Sequence, residues 1–209
     1  MKIDTIEVAG LAGALTALRL PFGKEVRSMV THYESLNAGA EDITFNETPD
    51  GFSVKLYAGY KPEERNRLVA GTEIITDPKD IHLMQTLVKR GNEHAKVVRG
   101  IMVWAKITAP VYWWCEEETY RAGHERLASE STMHIDCKGL GGAELQEAKA
   151  NIPMGKELTK VDMFSYQALR TIVQQRHNHR LPEWHTFVDW IRTLPLADEL
   201  IFVGLDLGE

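Results

Sequence analysis

Residues 109–134 read APVYWWCEEETYRAGHERLASESTMH, which brings three adjacent aromatics, three adjacent carboxylates, two arginines, two histidines and a run of hydroxyl side chains into one segment. A buried strand needs only the apolar part of that mixture, and a solvated helix only the charged part. Together the residues suit a planar anionic ligand. Tyr112, Trp113 and Trp114 offer π faces to a ring, and Arg121, His124 and Arg126 offer donors to phosphate oxygens. Glu116, Glu117 and Glu118 are carboxylates for proton transfer or cation binding. Three consecutive helical residues fan out over roughly 200° of the helix surface, so at most two can meet on one ligand. Each group also has a plainer reading: the aromatics as core, and the acidic run as a solvated face favoured near the N-terminus of a helix starting after Pro110.

Other chemistry-bearing patterns are weaker. His177-Asn178-His179 spells the name of a metal-nuclease family, but these residues end a helical pattern, where cationic side chains favour the helix dipole. With His185 they make no convincing ligand set, and no metal is expected. There is no glycine-rich phosphate loop of Walker or dinucleotide-binding spacing and no nucleophile elbow. Cys115 and Cys137, the two cysteines, read as free thiols of a reducing compartment rather than a disulfide framework.

The elements that must position these residues follow from periodicity. Residues 3–8 suit a short strand, and LAGALTALRL a helix stopped by Pro21 and Gly23. Residues 43–60 suit two strands around Pro49-Asp50-Gly51. Asp77 is placed to cap a helix with Pro78 in its first turn and Ile81, Met84, Leu87 and Val88 on one face, ending near Gly91. IMVWAKITA is the clearest strand, closed by Pro110. Gly139 to Gly142 breaks the chain, and AELQEAKAN is a polar helix or loop. The spacing of Met163, Tyr166, Leu169, Ile172 and Val173 predicts a helix over 162–180, and a second amphipathic helix occupies 181–194 before Pro195. The pattern is that of one domain over 1–209, with a helix-rich second half.

Composition sets the outer bounds. With 209 residues, 44% of them hydrophobic and 26% charged, the chain can bury a sizeable core. Its net charge of -6 supplies no global basic field for a nucleic-acid polymer, although a free nucleotide remains a suitable ligand. No run reaches the roughly 20 apolar residues of a membrane helix, and MKIDTIEVAG lacks a signal-peptide core, so a cytoplasmic protein without a membrane partner is expected.

Read together, HAKVVRGIMVWAKITAPVYWW at 94–114 and LRTIVQQR at 169–176 resemble the flavin-dependent thymidylate synthases, over about residues 80–195. In that family a His opens a segment that runs through a strand to an Ala-Pro-like turn, and an Arg-His-Arg signature follows. Here His94 opens and Pro110 closes a segment of matching length, with Arg99-Gly100 where the family has Glu-His. The signature zone is filled by YRAGHERLASESTMH, without the signature as the family writes it. Ser165 and Thr171 stand at the positions of two family asparagines, and Arg176 at that of an arginine that sits on the nucleotide.

The resemblance implies an α+β fold with a central mixed or antiparallel sheet, a homotetramer, and a deoxypyrimidine nucleotide as substrate. It implies reductive methylation of deoxyuridylate with FAD, methylenetetrahydrofolate and NADPH. By neighbourhood it assigns the flavin to His94, Arg121, His124, Arg126, Ser129 and Ser131, and the nucleotide to Ser165, Thr171, His134 and Arg176, with Arg176 as the catalytic group. The alternative is a non-catalytic nucleotide-binding or structural protein that keeps the fold and has lost flavin chemistry.

Overall fold

In KIDTIEVA the first six residues alternate between exposed and more protected positions, as a strand with one covered face requires, and the segment forms β1 (Lys2–Ala9). Gly10 turns the chain at φ 88°, and a Cβ there would run into the carbonyl of Gly100, so the entry to α1 (Leu11–Leu18) requires glycine. The computed structural model describes residues 1–36, 44–48, 51–58 and 68–208. Next come β2 (Met29–Leu36), β3 (Thr44–Thr48), β4 (Gly51–Ala58) and β5 (Leu68–Ile75). They form an antiparallel sheet in the order β2-β5-β4-β3. The hairpin expected over 43–60 is β3 and β4, with Thr48 opposite Gly51; its Pro49-Asp50 turn lies outside the described residues.

Helix α2 (Pro78–Lys89) starts as its sequence dictates, the Asp77 carboxylate accepting from the Lys79 amide at 2.7 Å. A 3-10 turn at Ala95–Arg99 leads into β6 (Met102–Pro110), where Val103, Ala105, Ile107 and Ala109 are fully buried in alternation. The chain continues through α3 (Val111–Glu117), β7 (His124–Ser129), α4 (Thr132–Ile135), α5 (Gly142–Ala150), β8 (Glu157–Ser165), α6 (Tyr166–Arg176) and α7 (Pro182–Arg192). A second sheet has the order β1-β6-β8-β7. Every pairing in it is antiparallel, so the sheets are antiparallel rather than mixed among the described residues.

Two local expectations are corrected. The helix predicted over 162–180 begins only at Tyr166, because Asp162–Ser165 are claimed by pairing to β6 on one side and β7 on the other. Ser165 then caps α6, its Oγ accepting from the Ala168 amide at 3.1 Å. Helix α3 is only seven residues long, so Glu116–Glu118 lie at its C-terminal end rather than near its N-terminus. The dipole is unfavourable to them there. Cationic partners from β7, β8 and α6 offset it.

Trp113 lies at the centre of the core, its ring 4.9 Å from both Trp114 and Trp184 and 5.5 Å from Phe187. The aromatic triplet is therefore chiefly core, with Tyr112 half-buried and donating its hydroxyl to Glu183. Among the described residues no helix is long and apolar enough to cross a membrane.

Candidate functional site

The three glutamates of α3 go three ways. Glu116 accepts from Arg176 Nη1 at 2.9 Å and from the indole of Trp184 at 3.0 Å. Glu118, exposed, accepts from Arg126 Nη1 at 2.6 Å and Lys160 at 3.2 Å, which holds its carboxyl low despite some burial. Glu117 turns inward, fully buried. Two of the three carboxylates thus meet on the single guanidinium of Arg126, within the limit that helical geometry sets.

Around Glu117 the sheet delivers a polar group into an otherwise apolar core. Residue 162 of β8 shares its phase with buried Phe164, and it is an aspartate: Asp162 is fully buried. It pairs across the ladder with Arg126 of β7, whose Nε donates to Asp162 Oδ1 at 3.1 Å while Nη2 donates to Glu117 Oε2 at 2.6 Å. His124, two residues earlier on the same face of β7, stacks on Phe164 at 4.5 Å with ring planes 6° apart. Its Nδ1 meets the Tyr120 carbonyl at 2.8 Å, so the other ring nitrogen faces the acids. Nε2 lies 3.2 Å from Glu117 Oε1 and 3.4 Å from Asp162 Oδ2. Neither Nε2 nor Glu117 Oε1 has a hydrogen-bond partner of ordinary geometry.

The electrostatics follow from that enclosure. Burial pushes the Glu117 carboxyl up to about 7, and the Asp162 charge pushes the same way; His124 and Arg126 only partly oppose them. For His124 burial acts to lower the pKa, but the Asp162 and Glu117 carboxylates and the Tyr120 carbonyl outweigh it and hold the imidazole above its usual value. A carboxyl poised near neutrality beside an imidazole can hold or pass a proton, or bind a cation. Lys160 and Arg126 lie over the Trp114 ring at 4.4 and 5.2 Å.

Arg176 joins this group by one link. Its Nε donates to the Tyr120 hydroxyl at 2.7 Å, Tyr120's carbonyl holds His124, and the guanidinium lies 4.8 Å over the Trp184 ring. The other predicted residues are dispersed. His94 is exposed at the start of its 3-10 turn, and Arg121 is exposed, its Nε donating to the Glu118 carbonyl at 3.4 Å. Ser129 is the last residue of β7, a strand of six residues that spans roughly 17 Å, and Ser131 and His134 lie beyond it. Ser165 is committed to capping α6, and Thr171 donates to the Gln167 carbonyl. Gly123 ties the near end together at φ 77°: its carbonyl accepts from the Ser165 amide, and a Cβ there would strike the Ser165 hydroxyl.

The sequence marks Glu117 only as one of three adjacent carboxylates, and His124 and Arg126 only as flavin contacts by neighbourhood; it gives no role to Asp162. Its signal was an acid in the buried phase of a strand, hidden because 162–165 were read as helix.

No protein-family model and no curated protein matches the chain. Solved structures do. Thymidylate synthase X (ThyX) from Helicobacter pylori with FAD and dUMP superposes with a TM-score of 0.59 at 10% identity, over 99% of this chain and 100% of that one. A second structure of the Helicobacter pylori flavin-dependent enzyme, also complexed with FAD and dUMP, gives 0.58 at 11% identity over 98% and 99%. The fold is that of the flavin-dependent thymidylate synthases. At this identity the ThyX likeness is one of fold.

Proposed function

We propose that the chain is a flavin-dependent thymidylate synthase-like protein that binds a deoxypyrimidine nucleotide. In this reading it methylates deoxyuridylate reductively, with methylenetetrahydrofolate as carbon donor and NADPH as reductant, as a cytoplasmic homotetramer. One observation carries the reading: end-to-end correspondence with two ThyX structures described as holding FAD and dUMP. FAD, when bound, supplies the hydride.

The chain's own residues divide by fit. Arg176 is half-buried, fixed by Tyr120 and Glu116, and positioned to hold a nucleotide phosphate or the charge developing on a pyrimidine ring. Arg121 and Ser129, both exposed, and half-buried Ser131 fit a flavin phosphate, and exposed His134 fits a nucleotide phosphate. His124 and Arg126 do not fit the flavin in this arrangement, since both face Glu117 and Asp162.

That last observation favours a second reading, a nucleotide-binding or structural protein that keeps the fold without flavin chemistry. The experiment is the visible spectrum of purified protein after incubation with FAD and desalting. A retained flavin band, shifted by deoxyuridylate and lost on Arg121→Ala, supports the enzyme. Colourless protein whose deoxyuridylate binding depends on Arg176 supports the second reading and rejects the first.

A further inference from the structure

The buried group on α3, β7 and β8 has a geometry that the proposed flavin and nucleotide roles leave unused. We propose that Glu117, His124 and Asp162 form a binding site for a divalent first-row metal ion, for which Zn2+ is the probe. The site stands on its own side chains and does not rest on the flavin reading.

Each residue offers one ligand atom, Glu117 Oε1, His124 Nε2 and Asp162 Oδ2, and the three lie within 4.8 Å of one another. An ion bonded at about 2.1 Å to imidazole nitrogen and carboxylate oxygen places neighbouring ligand atoms about 3.0 Å apart in an octahedral set and about 3.4 Å apart in a tetrahedral one. The separations from Nε2, 3.2 and 3.4 Å, fall in that interval.

Direction agrees with distance. An N–H on Nε2 points along the ring axis, and the oxygens are close to it without accepting a hydrogen bond of ordinary geometry. Coordination needs the oxygens to flank the nitrogen's lone pair rather than face it, and the missing hydrogen bond is what such an arrangement leaves.

The surroundings supply what a metal site needs beyond its ligands. The Tyr120 carbonyl at 2.8 Å takes the Nδ1 proton and leaves the Nε2 lone pair facing the acids, while Phe164 fixes the ring plane. Arg126 holds Glu117 Oε2 and Asp162 Oδ1, with a longer contact of 3.4 Å to Asp162 Oδ2, and leaves Glu117 Oε1 without a hydrogen bond beside the imidazole. The rival occupant is a proton. An imidazolium with two carboxylates and Arg126 is electrically neutral, and a metal ion must displace that proton to bind.

The test uses the full-length protein, stripped with a chelator and titrated with Zn2+ by calorimetry near neutral pH. Crystals soaked in Zn2+ are then examined for anomalous scattering. The expected result is one equivalent bound, with an anomalous peak between the three side chains. Glu117→Gln, checked for folding by circular dichroism, should weaken binding at least roughly tenfold, while His185→Gln should leave it unchanged. Absence of stoichiometric uptake, or an anomalous peak only at other histidines or at Cys115, overturns the proposal and assigns the group to a protonated His124. The anomalous peak decides the matter even if the Glu117 variant does not fold.

Discussion

Asp80 and Glu117 are both sealed from solvent, in different parts of the molecule, and their surroundings are opposite. Asp80, in the first turn of α2, accepts from Arg19 Nε at 2.5 Å, the Arg27 and Ser28 amides at 2.9 and 2.7 Å, and the Ser28 hydroxyl at 2.8 Å. Burial acts to raise its pKa, but those hydrogen bonds, Ser28 and Arg19 foremost, outweigh it and hold the carboxyl below the usual carboxylate range. Glu117 is as deeply buried, has Arg126 on one oxygen and no hydrogen bond on the other, and is pushed up to about 7. Burial is common to both, so burial does not mark a site. Incomplete satisfaction does. Asp80 is a clamp joining the end of α1, residues 27–28 and α2, whereas Glu117 keeps an oxygen available for chemistry.

The largest effect should come from breaking the clamp. Asp80→Ala leaves the Arg19 guanidinium and the Ser28 donors without their acceptor and is expected to cost about 3–5 kcal/mol in urea denaturation. A loss below about 1 kcal/mol would mean that the clamp carries little of the fold's stability, and the contrast with Glu117 would collapse. The pH dependence has a definite sign. Because the folded carboxyl is depressed, its stabilisation is present above the ordinary carboxylate pKa and lost as pH falls through the folded value. Denaturation midpoints of wild type and Asp80→Asn should therefore converge in acid and diverge towards neutrality.

Next in size is Gly123→Ala, where the positive φ and the collision with Ser165 act together, at about 1–3 kcal/mol in the same assay. Glu117→Gln should cost only about 1 kcal/mol, because the amide oxygen can still accept from Arg126 and a neutral side chain resembles the protonated acid. Finding that Glu117→Gln destabilises as strongly as Asp80→Asn would put both acids in the same structural class.

Much of the scaffold was legible because its signals are local. Asp77-Pro78 caps and starts α2, and β6 follows from β-branched and aromatic residues in strict alternation. Strand β8 was not legible. Met163 and Tyr166 happen to sit at the spacing of the helix that follows, and only non-local pairing to β6 and β7 assigns 162–165 to the sheet. The site was half legible for the same reason. Glu117, His124 and Arg126 lie in one dense segment, whereas Asp162 arrives through the ladder opposite Arg126. Dense composition marked the place, and tertiary pairing decided which carboxylates were buried there.

The smallest expected effect separates structure from function on the Glu117 side. Tyr120 has two roles: its carbonyl holds His124, and its hydroxyl accepts from Arg176. Tyr120→Phe removes only the second, since the carbonyl belongs to the backbone and the ring can keep its place against Trp184. Stability should fall by about 0.5–1 kcal/mol, the lower part of the range for one hydrogen bond, because the site is partly exposed. Arg176 keeps its Glu116 pair but loses the contact that fixes the guanidinium plane. If Arg176 holds a nucleotide phosphate, deoxyuridylate affinity measured by calorimetry should drop several-fold while Zn2+ uptake by the Glu117 group is unchanged. Loss of stability with no change in nucleotide affinity would make Arg176 a strut between α3 and α6, and would leave the buried acid as the stronger candidate for function.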